Sequence, residues 1–209
     1  VLKDARIVNV FTEEIIRGDI AIQDGIIAGI GSFHGKEERD LAGRYVCPGF
    51  IDSHLHLEST LVTPAELVTV ASRHGTTTFI VDPHESANVS GLAGIDYILD
   101  QTEDVKANVY VMMPSCVPAT SIDDNGCTLT AEDMAPYLHN SRILGLGEVM
   151  DSISVVQGDK TMHDKLELFA GRIRDGHAPF LEEGDLQAYA MAGIATDHEC
   201  SFFDYAMRE

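Results

Sequence analysis

The amino-acid sequence predicts an α/β protein: a partial (β/α)8 barrel of the TIM type over residues 46–209, preceded by a small β-rich segment over residues 1–45. Two observations favour the barrel. From Tyr45 onward, short apolar stretches alternate with helical stretches, which is typical of parallel strands covered by helices. In addition, residues able to do chemistry stand where these predicted strands end, and the strand ends of a barrel meet at one face.

The first 45 residues show the period-two alternation of half-buried strands. Residues 5–10 and 18–23 predict two strands, and Asp24-Gly25 predicts a tight turn into a third strand, residues 26–30. The polar stretch 32–43 predicts a loop. We expect this segment to form part of a composite β-sandwich, and nothing in it suggests catalysis.

The barrel portion is predicted to contain about six βα units. Three residues mark the start of the first helix: Thr63 can cap it, Pro64 suits its first turn, and Glu66 completes a capping box with Thr63. Gly75 and Gly193 indicate where two of the helices end. The predicted strands are the run that ends at residues 54–56, and residues 76–81, 108–113, 143–148, 173–176 and 194–196. The predicted helices are residues 63–74, 91–101, 161–172 and 185–192, with two more beginning near residues 130 and 201.

The apolar run over residues 48–58 ends in two histidines, His54 and His56. Side chains at positions i and i+2 of a strand point to the same face, so the two imidazoles suit one metal ion. Two solvated histidines are the alternative, and this motif by itself leaves the two interpretations about even. His177, His198 and Glu148 also follow predicted strands, which would require repeated coincidence if none of them bound metal. An open doubly wound sheet would not bring these ends together as readily as a barrel.

Charge and composition exclude several kinds of partner. The formal net charge is −20, from 34 acidic and 14 basic residues, and such a surface repels nucleic acids and anionic membranes. No apolar run is long enough for a bilayer, and the first residues do not resemble a signal peptide, so we expect a cytoplasmic protein. The four cysteines form no CxxC pair and are expected to be reduced. Gly145-Leu146-Gly147 lacks the third glycine of a nucleotide-binding fingerprint.

Several motifs in order along the chain resemble one family. The stretch Pro-Gly-Phe-Ile-Asp-Ser-His-Leu-His at residues 48–56 resembles the signature of the amidohydrolase superfamily, which consists of metal-dependent hydrolases. Five further stretches resemble the adenine deaminase family within it: VDPHE at 81–85, PSCVPAT at 114–120, GLGEVM at 145–150, DGHAP at 175–179 and TDHEC at 196–200. The resemblance spans essentially the whole chain. It implies purine salvage chemistry, in which a metal-activated hydroxide converts adenine to hypoxanthine and ammonia at a centre of two manganese or iron ions.

The same resemblance implies roles for individual residues. It assigns five metal ligands: His54 and His56 for the first ion, His177 and His198 for the second, and Glu148 as the bridge between them. Related hydrolases of cyclic amides use a carboxylated lysine as the bridge, whereas the fourth predicted strand here ends in Glu148. Manganese or iron is favoured over zinc because carboxylates suit harder cations. Glu148, His84 and Glu85 are candidates for proton transfer, and a structural pair closing a loop is the alternative for the last two.

The resemblance also indicates what the sequence lacks. An eight-stranded barrel needs about 250 residues, and no residue here corresponds to the aspartate that the superfamily places after its eighth strand. We expect the chain to be the N-terminal portion of a longer protein and to be inactive alone, which ammonia release from adenine would contradict. Two alternatives stay open: another amidohydrolase acting on a cyclic amide or aminated heterocycle, and a non-catalytic metal-binding relative. By resemblance, adenine is the small-molecule partner and a homodimer can form.

Overall fold

A computed structural model describes residues 1–120 and 122–208, and it contains two compact units. One unit spans Val1–Gly49 and the other begins at Phe50. No helix among the described residues is long and apolar enough to cross a membrane.

The first unit is a small sheet of five strands. They are β1 (Leu2–Asn9), β2 (Glu14–Gln23), β3 (Ile26–Gly31), β4 (Arg39–Asp40) and β5 (Tyr45–Val46). β1, β2 and β3 pair antiparallel in sequence order, while β4 and β5 pair parallel with β1. Asp24 and Gly25 have φ angles of 52° and 78°, which is the left-handed geometry of the predicted tight turn. Ala5, Ile7 and Ile20 form the buried apolar cluster of this unit.

The second unit is built on a parallel sheet of five strands. They are β6 (Phe50–Leu55), β7 (Thr76–Val81), β8 (Asn108–Met113), β9 (Ile143–Val149) and β10 (Ile173–Gly176). The spatial order is β10-β9-β8-β7-β6, and every neighbouring pair is parallel. β9 is buried on both faces, as expected of a strand covered by helices. This parallel sheet, curled into a half-barrel, and the separate small sheet confirm the predicted α/β class.

Eight α-helices occur in the described part of this unit. They are α1 (Pro64–Ser72), α2 (His84–Ser90), α3 (Leu92–Gln101), α4 (Ala131–Met134), α5 (Ser152–Gln157), α6 (Lys160–Leu168), α7 (Glu183–Met191) and α8 (Phe203–Ala206). Short 3-10 helices cover Glu58–Thr60 and Ala135–His139. Thr63 caps α1 by accepting from the main-chain N–H of Glu66, as the sequence predicts. The core contains fully buried side chains such as Ile95, Leu146 and Phe169.

The prediction of a sixth strand at residues 194–196 is wrong for the described residues, because this segment makes too few ladder bonds. Ala195 N–H donates to Arg174 O at 3.2 Å, and a parallel ladder needs such bonds in a regular series. The segment nevertheless runs beside β10, since a Cβ added to Gly176 would lie 2.2 Å from Thr196 O. Helices α2 and α5 are absent from the sequence prediction because both are short, with six or seven residues, and show little periodicity.

Candidate metal centre

The two histidines of the His-x-His motif lie at the carboxyl end of β6. His54 belongs to the strand and His56 follows it, and their Nε2 atoms lie 3.1 Å apart. The His56 ring Nδ1 lies 2.9 Å from the main-chain oxygen of Asp82. Because a carbonyl oxygen can only accept, Nδ1 of His56 carries the proton and its Nε2 presents a lone pair. This contact therefore favours the tautomer in which His56 Nε2 could bind a metal ion.

Glu148 lies at the centre of a group of imidazoles, near the carboxyl end of β9. Its side chain is only 3 % exposed. Oε1 lies 3.3 Å from His56 Nε2 and 3.0 Å from His84 Nδ1. Oε2 lies 2.9 Å from His177 Nδ1 and 3.1 Å from His198 Nε2. The two carboxylate oxygens thus face different histidines, with His54 Nε2 4.0 Å from Oε2, so the carboxylate could bridge two cations.

His177 and His198 approach Glu148 from the β10 edge of the sheet. His177 follows β10 directly, whereas His198 lies in the loop after α7. His177 Nδ1 and His198 Nε2 are 3.3 Å apart, and the His198 ring stacks on His54 with 3.8 Å between ring centroids. Tyr189 supports this arrangement, because its hydroxyl accepts from His177 N–H at 3.0 Å and donates to Val149 O at 2.5 Å.

Two aspartates complete the surroundings of the histidines. Asp175 Oδ2 lies 3.2 Å from His54 Nδ1 and accepts a hydrogen bond from this nitrogen, whereas His54 Nε2 faces His56. Thr196 holds the other oxygen of Asp175 by donating to it at 2.5 Å. The hydrogen bond to Asp175 raises the pKa of His54. Asp82 is 1 % exposed, and its Oδ2 accepts from Glu148 N–H at 2.8 Å.

Some polar atoms of these side chains lack hydrogen-bond partners within the described part of the chain, and a bound metal ion would give them a partner. His84 Nδ1 and Asp82 Oδ1 are buried without a hydrogen-bond partner in the described residues, although they lie 3.6 Å apart. Burial raises the pKa of Glu148, but His84, His56 and His54 outweigh it and lower that pKa to about 2. The carboxylate therefore stays ionised and available to cations. The described residues form four groups able to hold a metal ion: His54-His56-Glu148, His54-Asp175-His198, Glu148-His177-His198 and Asp82-His84-Glu148.

His84 and Glu85, the candidates for proton transfer, occupy different surroundings. His84 begins α2, and its ring contacts Glu148. Burial lowers the pKa of His84, but the neighbouring carboxylates of Asp82 and Glu148 outweigh burial and raise that pKa to about 10. Glu85 is exposed and accepts from Ser59 at 2.5 Å, away from the metal-binding atoms. Both residues line a cavity of about 420 Å³ beside the centre.

Asp82, Asp175 and Tyr189 are absent from the predicted site. The signal for the two aspartates was present, since each stands two residues before a predicted site histidine, His84 and His177. The i, i+2 spacing that paired His54 with His56 applies to the strand residue Asp175 as well. Tyr189 gave no such signal, because it lies on α7 and reaches the site through tertiary packing.

Comparison with known proteins identifies the family of this chain. The model of the amidohydrolase family matches residues 45–209, so the chain belongs to the amidohydrolase family. Membership implies a metal centre, and the groups around Glu148 could hold one.

The curated relatives that match this chain include several adenine deaminases. The chain is 59% identical over 209 residues to an adenine deaminase of Desulfitobacterium hafniense, covering 100% of the chain and 37% of the relative. It is 50% identical to an adenine deaminase of Clostridium acetobutylicum, covering 96% of the chain and 36% of the relative. An adenine deaminase of Geobacillus kaustophilus is 47% identical, with 99% and 36% covered. The chain thus spans little more than a third of these relatives.

Solved structures show the same fold at low sequence identity. A dihydroorotase matches with a TM-score of 0.55 and 18% identity, covering 90% of this chain and 53% of its own. A 5-methylcytosine deaminase from Klebsiella pneumoniae, liganded with 5-fluorocytosine, matches with a TM-score of 0.56 and 14% identity, covering 99% and 61%. These matches support the half-barrel described above.

Proposed function

We propose that the complete protein carrying this chain is a metal-dependent adenine deaminase, which converts adenine and water to hypoxanthine and ammonia. The observation that carries the proposal is the buried carboxylate of Glu148 between histidines that follow β6 and β10, the two edge strands of the sheet. The curated relatives named adenine deaminase support the substrate. Since those relatives are much longer than this chain, the proposal concerns the whole protein.

The proposed centre holds two ions. The ligands would be His54 and His56 for the first ion, His177 and His198 for the second, and Glu148 as the bridge. Manganese or iron suits the carboxylate-rich set better than zinc does. When bound, such a pair of cations supplies Lewis acidity and makes hydroxide available near neutral pH.

The protein's own groups orient the ligands and handle protons. Asp175 and the main-chain oxygen of Asp82 hold the Nδ1 side of His54 and His56, so that both Nε2 atoms face inward. Deamination needs one proton on the purine ring and one on the departing nitrogen. The attacking water releases both protons, and His84 would carry them, since its ring lies 3.0 Å from the Glu148 carboxylate that would hold the ions. Glu85 lines the adjoining cavity together with His84, and it would transfer protons there if adenine occupied this cavity.

The bridge distinguishes a deaminase from a cyclic-amide hydrolase with a carboxylated lysine. Lys160 pairs with Asp164 on the surface, and Lys165 donates to Ser115 O at 2.7 Å. Among the described residues, the ion-pair partners of Glu148 are all histidines, and neither lysine is one of them. The identity of the bridge therefore favours adenine over a cyclic amide as the substrate. We further expect manganese or iron in the centre, a homodimer and a cytoplasmic location.

The test is a substrate panel on the complete protein, purified and reconstituted with manganese. We expect ammonia and hypoxanthine from adenine, about two equivalents of bound metal as in a two-metal site, and no hydrolysis of dihydroorotate or a simple lactam. Hydrolysis of a cyclic amide with adenine left unchanged would replace the proposal with the first alternative. Failure to bind metal and to turn over any member of the panel would indicate a non-catalytic relative.

A further inference from the structure

We propose that Lys165 is a positioning residue that acts through Ser115 to hold the main chain of Glu148. The three residues lie on neighbouring parts of the fold: α6, the loop after β8, and β9. All three are buried, at 5 %, 1 % and 3 % exposure. This inference rests on the proposed function, because the position of Glu148 affects chemistry only if its carboxylate binds metal.

The first link joins Ser115 to Glu148. The Ser115 hydroxyl donates to Glu148 O at 2.6 Å, while Asp82 accepts from Glu148 N–H at 2.8 Å. Side chains from two other strand ends therefore hold both polar groups of the Glu148 peptide. The fit at this point is tight, since a Cβ added to Gly147 would lie 2.1 Å from Asp82 Oδ2. Such double anchoring fixes the direction in which the Glu148 side chain leaves β9.

The second link joins Lys165 to Ser115. Lys165 Nζ donates to Ser115 O at 2.7 Å, and this carbonyl is the one hydrogen-bond acceptor that the described residues offer to the ammonium. Burying an ammonium group is costly unless its contacts compensate. Burial also lowers the pKa of Lys165. The Lys165 ammonium therefore holds the main chain of Ser115, and the Ser115 hydroxyl in turn holds the main-chain oxygen of Glu148.

The consequence for the metal centre is geometric. Four ring nitrogens lie between 2.9 and 3.3 Å from the Glu148 carboxylate. A shift of the β9 main chain by a fraction of an ångström would lengthen some of these contacts and shorten others. Groups outside the ligand set that orient a ligand are worth about 10–100-fold in metal affinity. We expect Lys165 and Ser115 to have effects of this size.

The experiment compares three variants of the complete protein. Lys165→Met removes the ammonium, and Ser115→Ala removes the hydroxyl that reaches Glu148. Lys160→Met is the matched control, because Lys160 lies on the same helix, is 86% exposed and pairs only with Asp164 in the described residues. For each, manganese affinity is measured by titration, thermal unfolding is measured without metal, and amide hydrogen exchange is followed in the peptide that contains Glu148.

We expect Lys165→Met and Ser115→Ala each to weaken manganese binding by about 10–100-fold and to speed exchange around Glu148. The double variant should resemble Ser115→Ala alone, because the two residues act in series. Lys160→Met should stay within about twofold of the parent, as surface ion pairs contribute little.

Three results would overturn the inference: unchanged metal affinity in Lys165→Met despite a lower melting temperature, unchanged exchange around Glu148, or multiplicative losses in the double variant. The first would make Lys165 a purely structural residue. Failure of the proposed function looks different, since the parent itself would then neither bind manganese nor deaminate adenine. In that case the exchange measurement alone decides, and faster exchange in Lys165→Met supports the positioning role.

Discussion

Asp19 in the first unit and Glu148 in the second are both buried carboxylates, and their partners differ in kind. Asp19, on β2, accepts from Lys3 Nζ at 2.5 Å and from the main-chain N–H groups of Asp4 and Phe33 at 3.1 Å. Glu148 instead faces ring nitrogens, and the His56 nitrogen nearest to it presents a lone pair. A carboxylate surrounded by donors is satisfied by the protein. An imidazole can also bind a cation through a ring nitrogen, which an ammonium or a main-chain N–H cannot do, so the kind of partner separates a structural carboxylate from a candidate metal ligand.

The largest effect should come from removing the charge of Glu148. In Glu148→Gln we expect loss of bound manganese and a fall in adenine deamination of more than about 100-fold. This loss is larger than the effect expected for a residue that only orients a metal ligand. Metal analysis and ammonia assays on the complete protein check this. Asp19→Asn is the matched control from the other unit and should keep its metal. If both variants retained metal, the contrast between the two carboxylates would be wrong.

A single histidine should affect one ion more than the other. In His54→Asn we expect weaker binding of the first ion, with at most one tightly bound equivalent left, because His54 and His56 would share that ion. His34→Asn provides the comparison, since the His34 side chain is 91% exposed and contacts only Glu38 in the described residues. Equal metal content in both variants would exclude His54 as a ligand.

Asp175 should have a smaller effect, since it would act on the centre through His54. We expect Asp175→Asn to weaken manganese binding by about 10–100-fold, because the amide no longer accepts strongly from His54 Nδ1. Thr196→Val should give a weaker effect in the same direction, since Thr196 holds only the other oxygen of Asp175. A titration in which Thr196→Val lost more affinity than Asp175→Asn would reverse this order.

The smallest effect is a pH dependence in the N-terminal unit. Hydrogen bonds from Lys3, Phe33 and Asp4 lower the pKa of Asp19 to about 2, against 3.8 for the ordinary group. Its contribution to stability is therefore present above about pH 4 and is lost as the pH falls through about 2. Melting temperatures of the parent and Asp19→Asn should differ near neutral pH and converge in acid. A difference that stayed constant down to pH 2 would rule out this account.

The sequence predicted most of the fold and only the innermost part of the candidate site. Strands such as Thr76–Val81 and Asn108–Met113 were predictable because they are apolar, β-branched and bounded by turn residues. The segment at residues 194–196 has a strand-like sequence, yet its ladder depends on neighbours that sequence patterns do not reveal. Local patterns marked the histidines and Glu148, but Tyr189 and Lys165 reach their partners only through packing between distant elements.

The stacking of His54 on His198 has a consequence for how the chain is assembled. These rings belong to segments at opposite edges of the parallel sheet, yet their centroids are 3.8 Å apart. His54 is also paired with Asp175, which lies 121 residues later in the chain. During synthesis, His54 must therefore wait until all five strands have emerged before it meets these partners. A metal ion bound there would stabilise the sheet after it has folded, and it would not contribute to the early steps of folding.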